Sequence, residues 1–512
     1  MASLHIIPLC AFVALMATFT SSAFGATGAG ADDGAAESSV RLPIARETLG
    51  PADSASTVKT PISNVQKVKR NGFDELSVSI GDESYVSKPK GAVGKGSYEE
   101  VSARMRGKTE KPIFSAAIDA GASVSANVSN YSNVEVPEAY FRLQTPPGDP
   151  TGVAKSASIT AGRKKERWSG LDSDWSLGLV EPFNKFDALR PTEQGLTGVF
   201  AEGSVGAVSL MAFGSNIFIP EQGAPYDLTN GRFTTSSPWF AAPPDQLVLL
   251  GQTRNALYNV NMPETASIIN HSSYGLRARV AAQSGEGFYA QSSLLRKPMN
   301  AITLGFTGQL SIVEGDTYGD VNIYPQVVYD TITAGDIGYT AKNFALGFSV
   351  LRETPDQPQM TDGLTTSHYT DMTMLSPSAE IHVLPSKTWG PRLRVAYLTT
   401  TGGEVTAVGE YAQNGNVFGP RTIFRRAVSG SFETTLHHSD HWSLDASARW
   451  IEELDELGTV VMSDLRLALG DSWRIALQAD LLGSRQPTSD TNTFIARYRA
   501  NDRTAVRLTY LF

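Results

Sequence analysis

The sequence predicts an all-β chain: a transmembrane antiparallel β-barrel of roughly 18 strands (about 16–20), the length class of large water-lined barrels, behind a mostly disordered N-terminal extension. Three observations carry this. First, the final run from Thr504 to Phe512 puts Val506, Leu508, Tyr510 and Phe512 on one face. Ala505, Arg507 and Thr509 fall on the other, with Leu511 the apolar exception. Side chains alternate along a strand, so this is one apolar wall and one wet wall. Second, the pattern repeats upstream with aromatic ends. Trp442, Leu444, Ala446, Ala448 and Trp450 alternate with Ser443, Asp445, Ser447 and Arg449. The two tryptophans are separated by roughly 26 Å of strand at about 3.3 Å per residue, close to the height of a barrel's lipid-facing band. Third, no stretch beyond the N-terminus is long and apolar enough for a membrane-crossing helix.

The same alternation is read in Trp473 to Leu481, where Arg474, Gln478 and Asp480 face Trp473, Ile475, Leu477 and Leu481. It is read again in Tyr274 to Val280, Ile302 to Leu310, Val321 to Tyr329, Leu393 to Tyr397 and Phe494 to Tyr498. A soluble sandwich also alternates, but it has no reason to end so many strands in aromatics on the solvent side. Trp442, Trp450, Trp473, Tyr510 and Phe512 are therefore read as an interfacial girdle. The barrel is expected over residues 111–512, with segments of about ten residues each.

The chain has 512 residues, a net charge of −9 and one cysteine. Its mean hydropathy is −0.16, which is compatible with a barrel because only alternate residues are apolar. The apolar run Leu4 to Phe19, followed by Ala23 and Gly25, predicts a signal peptide over residues 1–25. Its n-region lacks Lys and Arg, and an uncleaved helical anchor is the alternative. Cys10 lies inside the run, and Leu9 before it is too large for a lipoprotein cleavage box. Cleavage leaves a chain without thiols. Residues 26–110 read as a periplasmic extension, disordered or a small plug: the start is small, polar and Gly-rich. Asn64 to Lys69 and Glu99 to Arg106 are short helices or strands within it. Gly91 to Ser97 has the glycines of a phosphate loop without its spacing or context, and reads as a linker.

Two insertions interrupt the strands, Arg163 to Gln194 and Asn216 to about Gln252. Long loops are commonly functional. Phe218, Tyr226, Phe233, Trp239 and Phe240 make the second one the candidate constriction, a solvent-facing cap being the alternative for either. One count conflicts with barrel architecture. With Phe512 periplasmic, the short turns Ala500 to Arg503, Gly470 to Ser472 and His437 to His441 come out external. The long Thr400 to Gly419 connection comes out periplasmic, whereas barrels have short periplasmic turns and long external loops.

The predicted inward positions are rich in arginine: Arg277, Arg279, Arg392, Arg394, Arg425, Arg449, Arg466, Arg474, Arg497, Arg499 and Arg507. Clear inward acids are Glu433, Asp445, Asp464 and Asp480. Clustered positive charge on a low-dielectric wall concentrates anions. A pore favouring anionic or polar solutes is one reading; arginines and acids pairing across neighbouring strands to hold the wall is the other. His437, His438, Asp440 and His441 have metal-ligand chemistry but sit in a hairpin turn. No metal or cofactor is assigned, and no basic domain supports nucleic-acid binding.

The terminal strand resembles the closing strand of Gram-negative outer-membrane β-barrels, whose final aromatic residue is the assembly signal. From Pro112 to Phe512 the chain is similar to the porin class. The block from Gly162 to Gly198, with Phe186 to Arg190 and Gly195 to Gly198, is loosely similar to alginate-export-type and substrate-specific porins. His271 and Ser273 weakly resemble the His-x-Ser stretch of outer-membrane phospholipase A, but lie on the lumen side. The porin resemblance implies a place in the outer membrane of a Gram-negative bacterium, among lipid and lipopolysaccharide. It implies insertion by the barrel-assembly machinery, passive or substrate-selective diffusion of small polar or anionic solutes, and no enzymatic role. In that class a long loop commonly folds into the lumen, and homotrimers are common. The alternative is a structural or surface-binding barrel with an occluded lumen.

Overall fold

The computed structural model describes residues 75–86, 96–145, 155–240, 242–249, 252–282, 285–313, 316–359, 363–383, 390–409, 419–486 and 493–512. The expected signal peptide, Cys10, Asn64 to Lys69 and most of the Gly91 to Ser97 run lie outside them.

Eighteen strands form one closed sheet. In chain order they are β1 (Glu75–Tyr85), β2 (Ser97–Glu110), β3 (Phe114–Ser125), β4 (Ser132–Gln144), β5 (Lys155–Lys164) and β6 (Leu196–Val205). Then come β7 (Val208–Ser215), β8 (Ser273–Ala281), β9 (Gly287–Pro298), β10 (Tyr329–Thr340), β11 (Phe344–Pro355) and β12 (Met372–His382). The last six are β13 (Arg392–Gly402), β14 (Arg426–His438), β15 (Trp442–Glu453), β16 (Gly458–Leu469), β17 (Trp473–Ser484) and β18 (Arg503–Leu511). Each pairs antiparallel with its neighbour, and β1 closes on β18 with Ser77 opposite Leu511 and Tyr85 opposite Arg503. Closure leaves no unpaired edge, the condition for a sheet to sit in hydrocarbon. The barrel therefore begins at Glu75: two wall strands come from the stretch expected to be extension, and their alternation had been masked by a balance of acids and bases.

The alternation is observed on the wall. Val506 and Leu508 on β18, Phe512 just past its end, and Trp473, Leu477 and Leu481 on β17 are exposed on the outer face. Trp442 and Trp450 are exposed at the two ends of β15. Trp473 and Tyr510 meet edge to face at 4.9 Å, as do Tyr510 and Phe512. An apolar belt edged by aromatics is the surface a bilayer requires.

Two expected strands are not in the wall. Ile302 to Leu310 and Val321 to Tyr329 fall mostly in the hairpin Thr303–Val313/Asp316–Gln326, inside the β9–β10 connection. It joins Gln246–Leu249 and Gln252–Val260 in a separate four-stranded sheet, with one parallel pairing. Tyr329 alone belongs to the barrel. Phe494 to Tyr498 is not a strand either but a single helical turn, with Thr493 capping it by accepting the Ala496 N–H. This correction resolves the sidedness conflict. Removing one false strand places residues 470–472 and 439–441 at the same end as Phe512, along with 111–113, 206–207 and 341–343. The long connections after β5, β7, β9, β13 and β17 leave the wall at the other end, which also carries the short turn 454–457. Short turns at one end and long loops at the other is the outer-membrane pattern.

At the long-loop end, Arg421 in the β13–β14 connection is buried against Asp330 of β10 and Glu353 of β11, all 3% exposed or less. Its guanidinium also lies over the Tyr369 ring at 5.2 Å. A buried ion cluster of this kind fastens an external segment to the wall, because pulling it away strands two carboxylates in a dry site.

Candidate functional site

The inside of the barrel has two unlike halves. On β9 to β16 the inward positions include Leu295, Ile332, Leu351, Met374, Leu398, Ile451, Val460 and Met462, all buried. Such a surface cannot face water, and the β5–β6 connection, residues 165–195, fills it. Trp168, Leu171, Trp175, Leu177, Leu179 and Leu189 of that connection are buried in the same cluster. The connection opens with the short helix α1 (Gly170–Trp175). Ser169 caps it by accepting the Asp172 N–H. The Asp172 carboxylate accepts the Leu179 and Val180 N–H groups at 3.0 Å each, so the chain folds back on itself. Trp175 stacks edge to face on Phe424 and donates its indole N–H to Ser376 on β12 at 2.9 Å.

Polar contacts tie this inner loop around the circumference. Arg277 on β8 donates to Glu166 at 2.8 Å. Ser293 on β9 donates to the Trp168 carbonyl at 2.7 Å, and the Gly170 N–H donates to Asp336 on β10 at 2.9 Å. Arg394 on β13 pairs with Asp174, whose carbonyl accepts from Arg449 on β15 at 2.8 Å. Asn184 donates to Asn133, just inside β4, at 2.8 Å. The tightest fastening is Arg190. It donates to both oxygens of Asp464 at 3.0 Å and to Asp480 at 2.6 to 3.1 Å, with its side chain 8% exposed. Arg503 on β18 donates to Asp480 at 2.8 Å, to Asp187 of the loop at 2.6 Å and to Glu83 at 2.8 Å. Two bidentate-capable forks among four carboxylates hold the loop's far end.

Space remains on the other side. A cavity of 590 Å³ is bounded by the inner loop and by β1 to β4, β17 and β18. Its lining reaches from Glu75 to Glu83 along β1, the length of the strand, so the loop narrows the barrel without filling it. Arg104 donates to Asp119 at 2.8 and 2.9 Å and contacts Glu135 at 3.4 Å. Arg106 meets Asp119 at 3.3 Å and Glu75 at 3.6 Å. From the loop side Glu181 contributes, almost wholly buried; one oxygen accepts the Glu166 N–H at 2.7 Å and the other has no hydrogen-bond partner. Burial, and then the neighbouring Glu193, push its carboxyl well above the ordinary range.

The arginines singled out in the sequence are distributed unevenly. Arg277, Arg279, Arg392, Arg394, Arg449, Arg466, Arg474 and Arg507 alternate with outward apolar residues and lie on the lumen face of their strands. Several are engaged: Arg277 and Arg394 with the loop acids, and Arg392 with Glu380 and Glu433 at 3.5 Å. Arg466 reaches Asp464 at 3.8 Å and Arg507 reaches Glu100 at 3.5 Å. Arg474 turns to the Gly470 carbonyl. Of these only Arg507 lines the cavity. Arg497 and Arg499 are not on a strand; they belong to the helical turn and its end, where Arg499 donates to the Gln486 carbonyl.

The aromatic insertion is corrected as well. The connection that enters the lumen is 165–195, and the aromatics of 216–252 stay at the long-loop rim. Tyr226, Phe233 and Phe240 stack on one another at 4.8 to 6.1 Å. Trp239 packs on Tyr498 and under Arg503, and Tyr98 donates to the Ser236 carbonyl. Phe218 is buried where its N–H meets the Ile269 carbonyl. His271 does not face Ser273: its ring nitrogens bond the Ser267 carbonyl and Tyr329. Among the described residues no group of three or more His, Cys, Asp or Glu could hold a metal ion. The cavity-lining charges missed in the sequence are Arg104, Arg106, Arg190 and Arg503, whereas two of their partners, Asp464 and Asp480, were among the inward acids read from it. The signal that could have found the inner loop is the apolar inward positions opposite Trp168 and Trp175.

No family model and no curated protein matches the chain. Solved structures resemble it at low identity. OmpF of Salmonella typhi, in complex with daunomycin, is 11% identical, with 86% of this chain and 97% of that one covered and a TM-score of 0.40. OccK2 (OpdF) of Pseudomonas aeruginosa, in complex with glucuronate, is 9% identical over 86% and 97% with a TM-score of 0.41. OccAB3 of Acinetobacter baumannii is 8% identical over 86% and 98% with a TM-score of 0.43. The closed sheet, its apolar belt and its asymmetric connections make this chain an 18-stranded antiparallel β-barrel of the kind that spans a membrane.

Proposed function

We propose that the protein is a passive channel for small polar solutes, with the 590 Å³ cavity between the inner loop and β1 to β4, β17 and β18 as its passage. The single observation that carries this reading is the asymmetry of the interior. The inner loop covers the apolar half and leaves the polar half lined by ionised side chains along the full length of β1. A barrel built only as a scaffold or display platform gains nothing from keeping Arg104, Arg106 and Arg507 32 to 47% exposed in its interior. Each charge costs several kcal/mol to desolvate, on the order of a lost buried ion pair, and water in a passage avoids that cost. The inner loop acts as the size filter, held in place by Arg190 and Arg503. The expected preference for anions loses its main support, since most wall arginines read from the sequence are engaged with acids or lie behind the loop. Liposome swelling with uncharged sugars of increasing size tests the reading. Swelling that falls off with solute size fits a filter of this width; liposomes that stay impermeable to the smallest sugar, with the barrel shown folded, contradict it.

A further inference from the structure

The charge of the passage has a sign. Arg190 and Arg503 stand among four carboxylates, Asp464, Asp480, Glu83 and Asp187. Arg104 and Arg106 stand among three, Glu75, Asp119 and Glu135. Arg507 faces Glu100 one to one. On the loop side Lys165 and Arg167 line the cavity with Glu166, Asp174 and Glu193. In each of the two wall clusters carboxylates outnumber bases; on the loop side Glu166 and Asp174 also pair with Arg277 and Arg394, which leaves Glu193 facing Lys165 and Arg167. The arginines of β8, β13 and β15 do not offset this, because the inner loop stands between them and the cavity and its own acids are spent on them. On β2 the guanidinium heads are the more exposed partners, Arg106 at 47% against 7% for Asp119, whereas beside β18 Glu83 and Asp187 are more exposed than Arg503. Charges within a Debye length of about 10 Å act on a solute as a sum, so a carboxylate excess in a cluster is felt even where a guanidinium head stands nearer.

We infer that the channel favours cationic solutes, through the carboxylate excess that Glu75, Asp119 and Glu135 maintain on β1 to β4 and Glu83, Asp187, Asp464 and Asp480 maintain beside β18. This rests on the passage being open. A low-dielectric wall with net fixed charge enriches counter-ions, and excludes co-ions, by roughly tenfold or more at modest ionic strength.

The test is reversal potential in a potassium chloride gradient, with the full mature protein folded in detergent and inserted in planar bilayers of neutral lipid. The wild-type protein should show a potassium-to-chloride permeability ratio of roughly 3 or more at low salt, falling as salt rises. Glu75→Gln with Glu135→Gln removes two carboxylates whose ion pairs are long, 3.6 and 3.4 Å, and which fasten no loop. That variant should move the reversal potential toward chloride, and Arg106→Gln should move it toward potassium. A chloride-favouring wild-type channel overturns the inference and leaves the channel reading intact. A potassium preference unmoved by either variant overturns its assignment to these carboxylates. A folded barrel without conductance steps removes the open passage, and the inference with it.

Discussion

Replacing Arg190 by alanine isolates what holds the inner loop in the lumen. The side chain makes hydrogen bonds to both Asp464 and Asp480 while almost fully buried. Burial lowers the affinity of Arg190 for its proton, but Asp480 and then Asp464 outweigh it, and the guanidinium is held more firmly charged than usual. Breaking a buried pair by removing one partner costs about 3–5 kcal/mol, mostly because a carboxylate is left without compensation. Here the residue of charge is partly absorbed. Asp480 keeps Arg503 at 2.8 Å, and Asp464 keeps the Gln478 amide at 2.8 Å and a distant Arg466. The loss should therefore sit at the lower end, about 3 kcal/mol. Urea unfolding of the detergent-folded barrel, followed by tryptophan fluorescence, measures it, since Trp168 and Trp175 report on the loop itself. Adding Asp464→Asn and Asp480→Asn to R190A removes the stranded charges and should recover part of the loss. Single-channel records of R190A should show larger or fluctuating conductance as the loop comes free. A loss below about 1 kcal/mol, the range of an exposed pair, with unchanged conductance would refute the clamp.

Other outcomes follow from the same contacts. Trp175→Ala empties a fully buried site against Phe424 and should cost about 3–5 kcal/mol, read in the same unfolding assay. Gly195→Ala would put a Cβ 2.3 Å from the Lys164 carbonyl carbon, where the loop's two ends pass each other; it should cost about 1–3 kcal/mol or more and lower the unfolding midpoint. Glu181 gives a pH signature. Its folded-state carboxyl is raised, so its contribution is full below the ordinary carboxylate range and is lost as pH rises through the folded value. Inner-loop stability should thus decline with rising pH above about 4.3, and Glu181→Gln should flatten that dependence. Deleting Phe512 removes a half-exposed ring, so the stability of refolded protein should change by under about 1 kcal/mol. If the terminal aromatic is an assembly signal, its loss should instead lower the amount of barrel inserted in cells, measured by heat-modifiable mobility on gels.

The wall was legible where period-two alternation met an aromatic end, as in Trp442 to Trp450 and in the run to Phe512. It was illegible where five residues fit two periods. Phe494 to Tyr498 alternates acceptably as a strand, but as one helical turn it buries Phe494, Ile495, Ala496 and Tyr498 together, and Thr493 supplies the cap. The Thr303–Val313 hairpin alternates because it too has a core on one face, with Phe306 and Val321 buried in a cluster apart from the wall. Periodicity reports that a face is buried, not which core buries it. The lumen arginines were visible as a class, but their partners were not: Arg394 meets Asp174 across 220 positions of sequence, a contact only the folded loop creates. Arg104 and Arg106 fall in Glu99 to Arg106, read as a short helix or strand of the extension because acids and bases balance there, and prove to be paired on the lumen face of β2.

The claim at the centre is that the inner loop narrows the barrel without closing it. Single-channel recording of the folded protein in planar bilayers tests this most directly. Discrete, stable open steps are predicted in the wild type, with larger or unsteady ones after Arg190→Ala. A barrel proven folded that gives no steps, and begins to conduct only when the loop is released, would contradict the open passage and show the loop to be a plug.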